Sequence, residues 1–485
     1  MAFSYKIYEQ EFFNRMRELR HSYQEGDFFK TICYLRYISA FYYRINYKLT
    51  DDELEEITSH TAGKLLGTTV LKNCRQNTVL FYDNFGLMTR GLANIYVNAF
   101  VKLNFHVVWV LYDFLPDTAG LQKQYANQNN IEFCVIPKQT IIDRMKNLQR
   151  ILQSKNPKHI FVYTTPDDIA GLGVMSTIKG EADRYLIDLT DHAFWIGKCA
   201  ADWIVGFRNY GYNLAIQYRN IAPEKVLLLP YYPDSREDYP FEGLPFDTDR
   251  YEFIFSGGSP YKLEGDSTYP EMVRYILIRY PDIKFVFAGN GTNQILETIK
   301  EEFPDRFYHI GERKDLDAIF QHAKFYLSTF PLSGGLMTQF AIQNQCIPLT
   351  LCRGKGSMFD IKEMLLKPQN AGFIFYRKED IFAAIDRTMC DRDYYCRLKQ
   401  DLSGQVISEA EFTRELNRLM LEKKTSFPGG PAEVNMKSQI EVYKKNATYK
   451  LFCQLVYESR NKWVYQKHPI IVWREKRKRN RNNRQ

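Results

Sequence analysis

Paired cysteines are missing from this 485-residue chain: its nine are odd in number, scattered, and never spaced C-x-x-C. An odd, scattered set argues against a disulfide framework, and the lack of C-x-x-C against a structural zinc site, so neither is expected. Long hydrophobic runs are missing too. The strongest, FHVVWVLY at 105–112, is far too short to span a bilayer. The opening residues, MAFSYKIYEQEFF, lack the apolar stretch of a secretion signal, and the expected location of the body is the cytosol. The eight histidines form no H-x-x-x-H or H-x-H pair, which argues against a metal centre. A broad basic surface is also absent. The net charge of +8 includes +6 from Arg474–Gln485 alone, where seven Lys/Arg meet one Glu, leaving +2 for the other 473 residues. A near-neutral body offers no nucleic-acid footprint.

What is present is a folded, aromatic-rich body, 45% apolar and 25% charged, long enough for two or three domains. Residues 1–70 read as a helical extension, with apolar side chains at three- and four-residue steps over 5–68, a break at Glu25-Gly26-Asp27, and a capping box at Thr50 and Glu53. From residue 71 to 235, short β-rich runs alternate with amphipathic stretches: TVLFY, HVVWVLY, EFCVI, HIFVYTT, RYLIDL, WIVGF and VLLL. Such runs read as strands buried on both faces of a parallel sheet. A Pro- and acid-rich passage at 230–249 reads as a linker. The alternation then restarts over 250–425 with YEFIFS, KFVFAG, RFYHIG, KFYLSTF, CIPLTL and FIFY. SFPGGP at 426–431 breaks the chain again, and 432–485 reads as a helical segment followed by a basic tail. The expected fold class is α/β: two doubly wound, Rossmann-like domains facing a cleft, with helical extensions at both ends. In such sheets ligands bind at the carboxyl ends of the strands.

The most informative stretch is KFYLSTFPLSGGLMTQFAIQNQCIPLTL at 324–351. A strand ends near Ser328, a loop carries Ser333, Gly334 and Gly335, a helix is expected from Thr338 to Gln345, and Pro348 opens another strand. Paired glycines let a backbone approach a ligand, and the amides of the next helix attract phosphate. The alternative is a tight turn before a buried helix. In the first domain, Asp83, Asn84 and Arg90 follow the first strand, beside Gly86 and Gly91. Asp188, Asp191 and His192 cluster just past another strand, placed to supply a general base. There the alternative is that Asp191 caps a helix starting near Ala193. Asp247 and Asp249 form an Asp-x-Asp that reads as a turn in the linker.

The stretch 324–351 resembles the nucleotide-diphosphate site of sugar-nucleotide glycosyltransferases with the two-domain GT-B fold. Other pieces follow in the order that resemblance implies, over about 75–400. SGGSPYKLEGD at 256–266 is similar to the Gly-rich loop and basic residue after the first strand of the second domain, which implies Gly257, Gly258 and Lys262 near the donor phosphates. FAGNGTN at 287–293 resembles a strand followed by a GxG turn at Gly289. YHIGERKD at 308–315 resembles the segment that cups the nucleotide base, implying roles for His309, Gly311 and Arg313, although these charges also suit a plain helix-capping loop. The implied donor is a UDP- or GDP-linked sugar, with no other cofactor and no metal; the implied partners are that nucleotide sugar and a glycan or lipid-linked acceptor. The implied catalytic groups are His192, Asp191 and Asp83.

One position departs from the pattern. Retaining members of the family carry an acidic residue seven positions before the turn proline, and here that position is Ala341. Either the enzyme inverts or the donor sugar is held differently. Two further readings share the architecture: a sugar-nucleotide epimerase, and an inactive relative that binds a partner or a glycan. The tail, HPIIVWREKRKRNRNNRQ at 468–485, has three readings: a solvated end, an anchor for an anionic membrane surface, or a nucleic-acid contact that the near-neutral body does nothing to support.

Overall fold

The computed structural model describes residues 5–45, 48–85, 92–115, 118–234 and 239–482. Two compact units divide the chain: Met1–Leu229 with Thr413–Pro431 and Met436–Gln485, and Pro230–Phe412 with Ala432–Asn435. The expected second domain, 250–425, therefore starts earlier and ends earlier. Phe241, Leu244 and Phe246 of the supposed linker pack against the second unit's core, because apolar side chains recur within the acidic passage.

The first unit is built on seven parallel strands: β1 (Arg75–Asn84), β2 (His106–Tyr112), β3 (Ile131–Ile136), β4 (Pro157–Thr164), β5 (Asp183–Ile187), β6 (Trp203–Gly206) and β7 (Val226–Leu228). Their order is β3-β2-β1-β4-β5-β6-β7. Continuous burial along the second half of β1 and nearly all of β2 explains why these strands are apolar on both faces.

Helices α1 (Lys6–Gln24), α2 (Phe28–Ile45) and α3 (Asp52–Leu66) are not a separate extension; Met16, Leu19, Leu35, Ile38 and Leu54 share one core with the sheet. The cap of α3 is Asp51 rather than Thr50, its carboxylate accepting from the Leu54 amide at 3.2 Å. The same unit carries α4 (Ile141–Lys155) and α5 (Ile169–Ser176), the latter capped by Asp168.

The second unit has six parallel strands: β8 (Phe253–Gly257), β9 (Lys284–Ala288), β10 (Phe307–His309), β11 (Phe325–Leu327), β12 (Pro348–Leu351) and β13 (Ile374–Phe375). They lie in the order β10-β9-β8-β11-β12-β13. Counted within the unit this is 3-2-1-4-5-6, and the chain reverses direction across the sheet between β8 and β11. The helix after β11, α6 (Gly335–Gln343), begins at Gly335 rather than Thr338.

The C-terminal segment folds as α7 (Met436–Asn446), α8 (Tyr449–Glu458), α9 (Lys462–Lys467) and α10 (Pro469–Asn482). The basic tail is thus helical through Asn482. Phe452, Val456, Val464 and Val472 join the first unit's core, while Ile470 and Trp473 of α10 stay exposed. Among the described residues, no helix is long and apolar enough to cross a membrane.

Candidate functional site

In the second unit the residues singled out from sequence gather at the carboxyl ends of four adjacent strands, β10, β9, β8 and β11. Gly257 ends β8, and Gly258 (φ +141°) donates its amide to the Ala288 carbonyl at 2.9 Å. Gly289, just past β9, is held to a glycine by sterics: a Cβ there would lie 2.1 Å from the Gly258 carbonyl oxygen. Its amide reaches the Gly311 carbonyl at 2.7 Å, and its own carbonyl contacts His309 Nε2 at 3.0 Å. These glycines bring three loops into backbone contact at one edge.

Lys262 lies between this edge and the start of α6. Its carbonyl accepts from the Leu332 amide at 3.3 Å, tying the loop after β8 to the loop after β11. Its side chain packs beside Gly258 and is half-buried, and burial lowers its pKa. Among the described residues no carboxylate pairs with it. Gly334 caps α6 without a side-chain hydrogen bond, so the first-turn amides have no acceptor within the helix. The Thr338 side chain is buried on the first turn, and its hydroxyl has no hydrogen-bond partner. An unpaired cation, a helix start and a buried hydroxyl therefore converge where the sheet order reverses. An anion suits that combination.

Other positions turn out to be engaged. A Cβ on Gly335 would meet the flexible end of Met364, its sulfur at 2.4 Å, so Gly335 sits against that side chain. The Ser333 hydroxyl donates to the Phe359 carbonyl at 2.8 Å. Arg313 is committed to Asp315 (Nη2–Oδ2 2.6 Å), to Glu242, and to the Gly243 carbonyl at 3.0 Å. Burial would raise the Asp315 carboxyl, but Arg313 and the Glu242 amide outweigh it and hold it below its usual range. Arg313 is thus a structural clasp on the 239–249 passage, and nothing frees it to face a base. The Asp247 carboxylate accepts from the Asp249 amide at 2.9 Å, a local turn. Ala341 is fully buried in the core, where a carboxylate would have no solvent.

In the first unit, Asp83 is buried at the end of β1 and accepts from the Phe85 amide at 3.2 Å. Arg90, with Gly86 and Gly91, lies outside the described residues. Asp188, Asp191 and His192 follow β5, two strands away from β1 in the sheet, roughly 10 Å at the usual spacing. No helix starts near Ala193. Instead the acids form a buried ion network that sequence reasoning missed. Arg208 grips Asp191 through Nε–Oδ2 at 2.6 Å and Nη2–Oδ1 at 2.7 Å. Arg219, fully buried against the Trp195 ring, reaches Asp188 at 3.1 Å and the Asp191 and Ala193 carbonyls at 2.6 Å. Burial would raise the Asp191 carboxyl, but Arg208 prevails and holds it well below the carboxylate range, so it cannot act as a base near neutrality. Burial raises the Asp188 carboxyl, with Arg219 opposing. His192 is different. Its side chain is about one-third exposed, with Nδ1 3.4 Å from Asp191 Oδ1 and its carbonyl accepting from the Gln439 side chain. The network fixes the loop, and His192 is what it presents. Two buried acids on one short loop need cations, and that was the available clue to Arg208 and Arg219.

No protein-family model and no curated relative matches the chain. Solved structures do. A glycosyltransferase from Rickettsia africae superposes with a TM-score of 0.53 at 9% identity, covering 72% of this chain and 98% of its own. A putative UDP-N-acetylglucosamine 2-epimerase from Listeria monocytogenes gives 0.52 at 11%, covering 74% and 100%. The lipopolysaccharide outer core galactosyltransferase WaaB gives 0.52 at 12%, covering 71% and 99%. The chain has the GT-B fold.

Proposed function

We propose that this chain is a glycosyltransferase that moves a sugar from a nucleoside-diphosphate donor to a hydroxyl acceptor. The observation that carries the reading is Lys262: half-buried, with no carboxylate partner among the described residues, beside the start of α6 at the sheet's switch point. A cation left unpaired there suits the charge that builds on a departing diphosphate. With the helix amides it would do the work a divalent ion does elsewhere, so no metal is needed. His192 is the candidate base for the acceptor hydroxyl, positioned by Asp191. Fold neighbours include both transferases and an epimerase, so the fold supports a nucleotide-sugar enzyme and the choice between them rests on chemistry. The helix α10, basic and exposing Ile470 and Trp473, suits peripheral contact with an anionic membrane carrying a lipid-linked acceptor.

The test is calorimetric titration with UDP and GDP, followed by incubation with a panel of nucleotide sugars with and without chelator. One nucleotide should bind, Lys262→Ala should weaken it more than tenfold, and the donor should be consumed in chelator. Release of free sugar or transfer marks a transferase; a changed sugar still on its nucleotide marks an epimerase. A chain that binds neither nucleotide is not this enzyme.

A further inference from the structure

The loop that presents His192 is held by a residue 247 positions further along the chain. Gln439, on the first turn of α7 and buried, donates from Nε2 to the His192 carbonyl. Its Oε1 accepts from the Tyr210 hydroxyl at 2.5 Å. A carbonyl can only accept, so the amide nitrogen must face His192 and the amide oxygen must face Tyr210. Tyr210 is buried in the helix Asn209–Gln217, and its ring centre lies 4.7 Å from the Arg208 guanidinium. Arg208 grips Asp191, the residue before His192. The contacts close a ring that runs from Asp191 through Arg208, Tyr210 and Gln439 back to the main chain at His192.

Burying a primary amide costs free energy unless both its ends are paired, and here both are. An apolar side chain of the same size could fill the space. What the amide adds is a fixed direction at the His192 carbonyl. The helix Asn209–Gln217 also takes hold of the chain ahead of α7. The Gly430 amide donates to Asn209 Oδ1 at 3.0 Å, and Asn213 Nδ2 donates to the Gly430 carbonyl at 2.8 Å. A Cβ on Gly429 would lie 2.1 Å from the Tyr212 ring, so that glycine backbone is pressed against the ring. SFPGGP, which breaks the pattern in sequence, is therefore a docked segment, and one short helix receives both it and Gln439.

We infer that Gln439 is a positioning residue for His192. It fixes the main chain that carries the imidazole, while Asp191 Oδ1 lies 3.4 Å from ring Nδ1. The chemical meaning of this role rests on the transferase reading above; the link from Gln439 to the imidazole stands without it. A general base works only within hydrogen-bond reach of the hydroxyl it serves. A misplacement of about 1 Å, caused by a change away from the reacting groups, costs on the order of 10²-fold in rate. The C-terminal segment is in this sense part of the framework of the site and not an appendage to it.

The experiment follows the His192 ring directly, through the NMR signals of the full-length chain labelled with carbon-13 at histidine Cε1. The His192→Gln spectrum identifies the signal, and buried His159 of the same unit is the internal reference. Gln439→Leu removes both hydrogen bonds; Gln439→Glu keeps an acceptor for Tyr210 and loses the donor to the carbonyl. Both should displace the His192 signal and leave that of His159 in place. Both should slow single-turnover reaction of the nucleotide sugar consumed in the panel above by about 10–100-fold, with UDP affinity within twofold of wild type. A merely structural glutamine would lower the unfolding temperature in Gln439→Leu and leave the His192 signal and the rate of the folded chain unmoved. If Gln439→Leu fails to fold, Tyr210→Phe removes only the hydroxyl that orients the amide, and a smaller loss of rate with the same displaced signal is expected. An unmoved His192 signal in the folded variants overturns the inference, as does a displaced signal with a single-turnover rate within twofold of wild type. A chain that consumes no nucleotide sugar overturns the transferase reading, and a displaced His192 signal in it would still establish the link from Gln439 to the imidazole.

Discussion

Arg208 closes on both carboxylate oxygens of Asp191 with neither side chain exposed to more than a trace of water. A pair so placed contributes less than its removal costs, because either partner alone is a stranded buried charge. Arg208→Ala should therefore destabilise the protein by about 3–5 kcal/mol in a denaturant titration. Arg208→Met with Asp191→Leu should recover most of that loss. A single-mutant effect below about 1 kcal/mol would show that water reaches Asp191.

His192 is the chemical test of the same loop. If it is the base, His192→Ala should slow the chemical step by roughly 10²–10⁴. Nucleotide affinity should stay near wild type, since Lys262 and its neighbours belong to the other unit. Near-normal single-turnover rates in the variant would leave His192 a surface residue held in place by its neighbours.

The adjacent glycines 334 and 335 should both tolerate alanine. Gly335→Ala brings a Cβ against the flexible end of Met364, which can swing aside, and should change stability by less than about 1 kcal/mol. Gly334→Ala meets only ordinary contacts, the nearest at 3.5 Å, and should leave the fold nearly unchanged. A tenfold loss of UDP affinity in Gly334→Ala alone would place the diphosphate against that backbone; equal affinity would move it elsewhere.

A buried histidine makes the first unit acid-sensitive. Burial lowers the His159 pKa from 6.5 to about 4, against an opposing pull from Asp183. The unfolded chain therefore takes up a proton in that window and the folded chain does not, so stability falls as pH drops from about 6.5 towards 4. The contribution is about 3 kcal/mol. Chemical denaturation of wild type and His159→Gln across that range should give a steeper curve for wild type. Parallel curves would mean that the ring protonates without unfolding.

The tail prediction concerns surfaces. With Ile470 66% and Trp473 58% exposed on a basic helix, the full chain should sediment with anionic vesicles at low salt and release at high salt. A chain ending at Val472 should stay in solution. Equal sedimentation of both would remove the tail from membrane binding.

The alternation of apolar runs was enough to locate the strands of the seven- and six-stranded sheets, because strands buried on two faces leave little room for polar residues, but it missed the short pair Thr69–Leu71 and Ile178–Gly180. Their order was not legible as such, and the glycines at the strand ends of the second unit emerged because tight backbone approaches exclude a Cβ, as at Gly289. What stayed hidden was pairing over distance. Arg208 and Arg219 lie 17 and 31 residues from the acids they neutralise, and nothing in local pattern announces such a partner. Arg313 misled for the same reason, since an arginine serving a clasp and one serving a ligand look alike in sequence.

The return of the chain to its first unit has a consequence for biogenesis. The Tyr8 hydroxyl donates to the Thr448 carbonyl 440 residues later, and Glu11 meets His468 at 3.1 Å, so α1 is completed by residues translated long after it. On the ribosome the second unit, finished apart from the short segment Ala432–Asn435, is free to fold while the first still lacks part of its core. The apolar faces of α1 and α2 must wait, exposed, until α7–α10 emerge. Premature termination after Phe412 would thus strand the earlier-made half rather than the later one, and such products should be the ones that chaperones hold and proteases clear.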